Sequence, residues 1–356
     1  MTEPLEGFRF ADGLITDLPY GLDGERVSAG FVDVQINGGW GHDFTANPSS
    51  IWEVGRRLPE TGVTTFLPTI VSAPYQVVHA AIEALRVGRP PGYAGADPIG
   101  LHIEGPWISS EWKGAHNPDH LRLPDPKVAD RWAASGVVRM VTIAPDLTGA
   151  DEVAGILSAA GTVVSAGHTG ADFETASRAL NGPWSAVTHL FNQMTPFHHR
   201  QPGMVGAALI SERPCGLIVD GLHSHIGALE LAWRHLGPDR TMLITDAMAA
   251  TGLGEGSYLL GGIDVTVGPD GPRNPSGVLA GSTLTMDRAV ANLARWTTAT
   301  VDQALASASL TPARAIGAHD RGRLEPGLRA DLVVLSDELR VVKTMVGGEI
   351  VYRSGG

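Results

Sequence analysis

The chain has 356 residues, 43% of them hydrophobic, with a formal net charge of −12 at pH 7; that length suits an α/β barrel with a small companion domain. The acidic balance excludes a basic nucleic-acid-binding face, and no run reaches the ~18 apolar residues that would span a membrane. A single cysteine, Cys215, permits no intramolecular disulfide, and the opening M-T-E-P-L-E-G-F-R-F has no apolar signal core, so a cytoplasmic setting is expected.

In chain order, eight short apolar and β-branched runs stand out. They are G-F-V-D-V-Q-I ending at Ile36, T-T-F-L-P-T-I at Ile70, I-G-L-H-I-E at Glu104 and V-R-M-V-T-I-A at Ala144. The others are T-V-V-S-A-G-H at His168, S-A-V-T-H-L-F at Phe191, C-G-L-I-V-D at Asp220 and T-M-L-I-T-D at Asp246. Helix-compatible stretches separate most of them, among them 51–59, 75–87, 151–159 and 172–180. Runs apolar on both faces, alternating with helices, indicate a parallel sheet covered by helices. Eight such units predict an α/β fold closed into a (β/α)8 TIM barrel. A doubly wound open sheet is the competing architecture, weakened by the lack of a G-x-G-x-x-G after the first run.

Beyond Asp246 a Gly/Pro-rich stretch at 251–281 carries strand-like fragments, and two helical segments follow at 285–297 and 301–316. The tail alternates as a hairpin around a Gly-Gly turn. The expected domains are a barrel at 29–321 and a small discontinuous β-domain joining 1–28, whose N-terminal part is short, to 322–356. Cys215, in a predicted strand, reads as a buried core residue rather than a nucleophile.

In such barrels chemistry collects at the C-terminal ends of the strands. Glu104, His168, His189 and Asp246 fall there, on strands three, five, six and eight. One carboxylate oxygen and two imidazole nitrogens leave a fourth position for water, the pattern of a catalytic rather than a structural zinc site. A metal so held supplies hydroxide at neutral pH, and a neighbouring carboxylate can shuttle its proton. Asp246 is the candidate acid/base. Each residue alone has an ordinary reading, as a hydrogen-bonded loop histidine or a helix-capping glutamate; the expectation rests on the set.

The motifs G-F-V-D-V-Q-I-N-G, L-H-I-E-G-P-W, G-A-H-N-P, S-A-G-H-T, T-H-L-F-N, R-Q-P-G, D-G-L-H, T-D-A-M and A-G-S-T-L-T-M resemble the amidohydrolase superfamily. Within it they are closely similar to the N-acetylglucosamine-6-phosphate deacetylases. The similarity runs from about Gly30 to the C-terminus, and H-I-E-G-P-W together with D-G-L-H is its specific part. The resemblance implies that Glu104, His168 and His189 hold one divalent metal per subunit, Zn2+ first and Fe2+, Mn2+ or Co2+ otherwise. It also implies that Asp246 is the catalytic acid/base and that the protein is a homodimer. Other branches bridge two metals with a carboxylated lysine on strand four. Here the only lysines are Lys113, Lys127 and Lys343, none of them near it. Gln35 and Asn37 stand where binuclear relatives carry His-x-His. Amides are poor zinc ligands beside imidazole, so one strong metal is expected, whether the amides leave a second position weak or hydrogen-bond the barrel floor.

By the same resemblance Arg200, in the basic loop F-H-H-R, aligns with a phosphate-binding arginine, whose forked donors suit that anion. His223 aligns with a substrate-contacting histidine that in some members acts across a dimer interface. His116 aligns with a residue near the scissile acetamide, where it can polarise the carbonyl, with Ala115 beside it. Asn192, Gln193 and the Leu279–Ala280–Gly281 backbone match other sugar-contacting positions. Trp40, Trp107 and Trp112 read as packing residues before sugar platforms, and His42 and His225 are unassigned. The expected reaction is deacetylation of N-acetylglucosamine 6-phosphate. The alternatives are N-acetylgalactosamine 6-phosphate or another N-acyl sugar as substrate, and a catalytically inactive amidohydrolase-like binding protein.

Overall fold

A computed structural model of the chain describes residues 8–17 and 26–355. Eight parallel strands form the central ring: β1 (Phe31–Ile36), β2 (Val63–Val71), β3 (Leu101–Glu104), β4 (Val138–Ile143), β5 (Val163–Ala166), β6 (Trp184–Val187), β7 (Cys215–Leu217) and β8 (Thr241–Leu243). Each pairs with its sequence neighbour. The ring is completed just past β8, where Asp246 N donates to Gln35 O at 2.9 Å and Asn37 N to Ala247 O at 2.8 Å. Closure therefore seats Gln35, Asn37 and Asp246 side by side. Six of the strands are buried along their whole length. That explains why their sequences are apolar runs rather than alternations.

Helices follow each strand: α1 (Ile51–Arg57), α2 (Tyr75–Val87), α3 (Pro126–Ser135), α4 (Ala150–Ala159), α5 (Phe173–Asn181), α6 (Gly203–Ile210), α7 (Ile226–Arg240) and α8 (Met286–Trp296). Their starts are written locally. Asp125 caps α3 by accepting from Lys127 N at 2.9 Å, and Asp172 caps α5 by accepting from Thr175 N at 2.8 Å. The helical segment expected at 301–316 is two helices, α9 (Val301–Ala308) and α10 (Leu310–Ala315), broken at Ser309. Pro312 is the reason, since its ring clashes with the carbonyl four residues back, at Ala308, where α9 stops.

Around the barrel core, Trp107 stacks on Trp132 with ring centroids 4.6 Å apart, and both are fully buried with Trp184. Trp107 is thus a packing residue. Cys215 is buried as well, and burial pushes its thiol up to about 12, which leaves it unreactive. A four-stranded antiparallel sheet joins Arg26–Ala29 to Leu332–Leu335, Val341–Val346 and Glu349–Arg353. Its last hairpin turns through Gly347 (φ 56) and Gly348 (φ 83), the left-handed pair that a tight hairpin requires. A short hairpin, Arg9–Ala11 with Leu14–Asp17, adds Phe8 and Ile15 to the sheet's own small core with Leu332, Val334 and Met345. The rest of the expected N-terminal β-segment, at 1–7 and 18–25, lies outside the described residues. A second small sheet, Gly256–Leu260, Ile263–Gly268 and Gly271–Arg273, is inserted after β8. Among the described residues no helix is long and apolar enough to cross a membrane.

Candidate active site

Glu104 is the last residue of β3, whereas His168, His189 and Asp246 lie two or three residues beyond the ends of β5, β6 and β8. Those three leave their strands in the left-handed region, with φ of 51, 23 and 48°. Side chains rarely adopt such backbone without compensation. Here it turns each side chain inward over the barrel mouth. Gly281, φ 64, serves the same spot from the other side, since a Cβ there would meet Asp246 O at 3.0 Å.

The result is a tight cluster. Glu104 Oε1 lies 3.2 Å from His168 Nε2 and 3.0 Å from His189 Nε2, and the two Nε2 atoms are 3.0 Å apart. His168 Nδ1 donates to Trp112 O at 2.8 Å, which leaves the Nε2 lone pair facing the cluster. All three residues are buried and together can hold a metal ion. Burial alone would raise the Glu104 carboxyl, but hydrogen bonds and charge from His168 and His189 outweigh it and hold it well below the usual carboxylate range.

The amides of β1 occupy the adjoining space. Gln35 Nε2 donates to Glu104 Oε1 at 2.9 Å and, longer, to Asp246 Oδ1 at 3.4 Å, while Asn37 Nδ2 donates to Asp246 Oδ1 at 2.8 Å. They are donors between two carboxylates, where a second cation would otherwise have to offset the repulsion. Asp246 is nonetheless raised to about 6, by burial and then by the Glu104 charge, against the pull of His189, His223 and Asn37.

His116 stands above the cluster, its Nε2 3.9 Å from Glu104 Oε2. Its Nδ1 accepts from Ser72 N at 3.2 Å and lies 2.8 Å from Ser72 Oγ. The ring proton is therefore on Nε2, aimed into the cavity. Burial and the neighbouring His168 push its pKa down to about 3, so at neutral pH His116 is an uncharged donor. Beneath the cluster, His102 Nδ1 bonds Val34 O at 3.0 Å and its Nε2 meets Thr142 Oγ1 at 2.8 Å. The chain continues to Thr188 at 2.7 Å and Ser165 at 2.6 Å, bracing the backbone next to His189.

A cavity of about 250 Å³ opens over this floor. It is lined by the four residues already placed, by Ala115, His116, Asn192, Gln193 and His223, and by Leu279 and Gly281. His223 is fixed by its Nδ1 contact with Asp220 Oδ2 at 2.7 Å. Burial pushes the Asp220 carboxyl up, yet the His223 hydrogen bond and charge hold it below its ordinary value. Ala280 is buried behind Leu279 and Gly281. Arg200 does not line the cavity of its own chain and sits in an exposed loop. His225 caps α7 through Gly227 N, 3.0 Å.

A profile of the amidohydrolase family matches residues 26–351. The chain belongs to the amidohydrolase family. Within it, the chain is 40% identical over 343 residues to the N-acetylglucosamine-6-phosphate deacetylase of Danio rerio, covering 92% of this chain and 84% of that one. The crystal structure of the N-acetylglucosamine-6-phosphate deacetylase of Thermotoga maritima is similar with a TM-score of 0.88 and 33% identity, over 98% of this chain and 95% of that one. A mutant of the Mycobacterium smegmatis enzyme, in complex with N-acetyl-D-glucosamine-6-phosphate, matches with a TM-score of 0.87 and 33% identity, over 96% and 93%. The fold is thus that of metal-dependent amidohydrolase barrels. Two residues the sequence did not single out also shape the site. Ser72, just past β2, sets the His116 tautomer, and Arg273 lines the cavity from the inserted sheet. Neither belongs to a sequence motif; only the three-dimensional neighbourhood marks them.

Proposed function

We propose that this amidohydrolase removes the acetyl group of N-acetylglucosamine 6-phosphate, giving glucosamine 6-phosphate and acetate. The observation that carries the reading is the convergence of Glu104 Oε1 with the Nε2 atoms of His168 and His189, at 3.0 to 3.2 Å, beside the separately held carboxyl of Asp246. Two imidazole nitrogens and a carboxylate oxygen brought this close suit one cation held between them. The donor set therefore fits one divalent cation, Zn2+ by its borderline character and Fe2+, Mn2+ or Co2+ by the same geometry. A cation held there supplies Lewis acidity and an activated water at neutral pH. Gln35 and Asn37, spent as donors to the two carboxylates, argue against a second ion.

The chain's own groups then divide the remaining work. Asp246, its carboxylate held by the Asn37 and Gln35 donors, takes the proton of the water that attacks the acetyl carbon. It returns that proton to the amine nitrogen as the C–N bond breaks. His116, neutral with its proton on Nε2, donates to the acetyl carbonyl oxygen as charge builds on it. Asn192, Gln193, His223 and the backbone of Leu279–Gly281 orient the sugar. A homodimer and a cytoplasmic setting belong to the same reading; the exposed loop carrying His198, His199 and Arg200 is free to act outside its own cavity.

The test is acetate release from N-acetylglucosamine 6-phosphate, N-acetylgalactosamine 6-phosphate and their unphosphorylated forms, with metal content measured on the same protein. Preference for the gluco phosphate is expected. Metal-loaded protein that releases no acetate from any phosphorylated sugar would overturn the reading.

A further inference from the structure

The cavity floor and walls carry two carboxylates, Glu104 and Asp246, and four histidines, but one permanently charged cation among the described residues, Arg273. We propose that Arg273 is a further substrate-binding residue, which holds the sugar phosphate from within the same chain and so sets the preference for phosphorylated substrates. The assignment rests on the function proposed above.

Its placement is built rather than incidental. Arg273 ends the inserted sheet and starts a hairpin that returns along the cavity wall, with Arg273 bridged to Leu279 and Ala280 N donating to Pro272 O at 3.0 Å. The turn between them is locked by Asn274 Oδ1, which accepts from Ser276 N and Val278 N, both at 3.0 Å. Within that turn Arg273 Nη1 donates to Gly277 O at 2.7 Å. This anchors one edge of the guanidinium and leaves its other N–H groups uncommitted. No carboxylate among the described residues pairs with it, unlike Arg321 and Arg329, which lie among acids. Arg273 is half-buried, so its charge is less screened than that of a surface arginine.

Substrate chemistry points to the same residue. On the hexose, the acetamide at C2 and the phosphate at C6 lie on opposite sides of the ring. With the acetamide over Glu104, His168 and His189, the phosphate reaches the wall away from that floor. A dianion there needs a cation, and a planar guanidinium fork matches phosphate oxygens. Arg200, exposed and outside this cavity, cannot fill that role within the chain.

The experiment compares wild type with Arg273→Gln, Arg273→Lys and Arg200→Ala, on N-acetylglucosamine 6-phosphate and on N-acetylglucosamine. Arg273→Gln is expected to lower kcat/KM on the phosphate about 10–100-fold, chiefly through KM, the scale of a lost hydrogen bond to a charged group. The unphosphorylated sugar should be unaffected, and Arg273→Lys should recover part of the loss. Equal loss on both sugars, no loss, or a phosphate-specific loss confined to Arg200→Ala would overturn the assignment. Calorimetric titration with inorganic phosphate tests Arg273 whatever the sugar. Weaker binding by a similar factor in Arg273→Gln supports it, and an unchanged Kd overturns it. A wild type that binds phosphate through Arg273 but shows no preference for the phosphorylated sugar would instead refute the proposed substrate.

Discussion

Asn37 gives the sharpest handle on the acid/base assignment. Its Nδ2 donates to Asp246 Oδ1 at 2.8 Å, while its own Oδ1 is buried without a partner among the described residues. Replacing it with leucine keeps the volume and removes the donor. A hydrogen bond to a charged group is worth about 1.5–3 kcal/mol, and one pKa unit corresponds to ~1.36 kcal/mol. Since the donor favours the ionised carboxylate, its loss raises the Asp246 pKa by about 1–2 units. Asp246 works as a base from its ionised form, so the acid limb of kcat/KM shifts to higher pH by the same amount. On the acid limb activity should fall roughly 10–100-fold on the fraction ionised alone, and it should return once the pH is well above the shifted limb. The assay is a pH profile of kcat/KM for acetate release, wild type against Asn37→Leu. A uniform drop with the acid limb unmoved would refute the reasoning, since Asp246 would then not be the titrating base.

Asp246→Asn should keep the metal, because the ligand atoms come from Glu104, His168 and His189, yet lose about 100- to 10,000-fold in kcat; metal analysis beside a kinetic assay checks both halves. Asp33, fully buried beneath the site, is pushed up to about 7 by burial, against donors from Thr245 and Gln35. Its folded pKa is raised, so its contribution to stability is complete below the ordinary carboxylate range and is lost as pH rises through about 7. Wild type should therefore lose roughly 2–3 kcal/mol of this contribution between pH 5 and 9, and denaturant titrations of Asp33→Asn should show that decline flattened. Asp331, 2% exposed, accepts from Arg329 Nε and from Gly347 N, and lies 4.0 Å from the buried Arg321. Asp331→Ala leaves Arg321 and Arg329 their contacts with Asp97 and Asp320 but takes the acceptor from Arg329 Nε and Gly347 N, and should cost about 1–3 kcal/mol in chemical denaturation, with kcat unchanged in what remains folded.

Much of the barrel was legible because its strands are buried on both faces, so apolar runs mark them directly, and because helix-compatible stretches such as 75–87 and 172–180 separate them. The break at Ser309 was not, because the helical pattern runs on through Pro312. Glu104, His168, His189 and Asp246 were recognisable as a set because strand ends in a barrel converge, a rule that needs no distances. What Gln35 and Asn37 do was not, since their partners come from β3 and from beyond β8 and depend on how the ring closes. Arg200 and Arg273 show the same limit from opposite sides. The first stood out in a basic cluster but lies on an exposed loop; the second, flanked by turn residues in P-R-N-P-S-G, reaches the cavity only because a hairpin folds back over the barrel mouth.

The most direct test of the central claim, a single metal held by Glu104, His168 and His189, is metal stoichiometry followed through chelation and reconstitution. The expected result is one divalent ion per chain, acetate release abolished on its removal, and activity restored in proportion to metal up to one equivalent. Two tightly bound ions per chain, or full activity in metal-free protein, would contradict it.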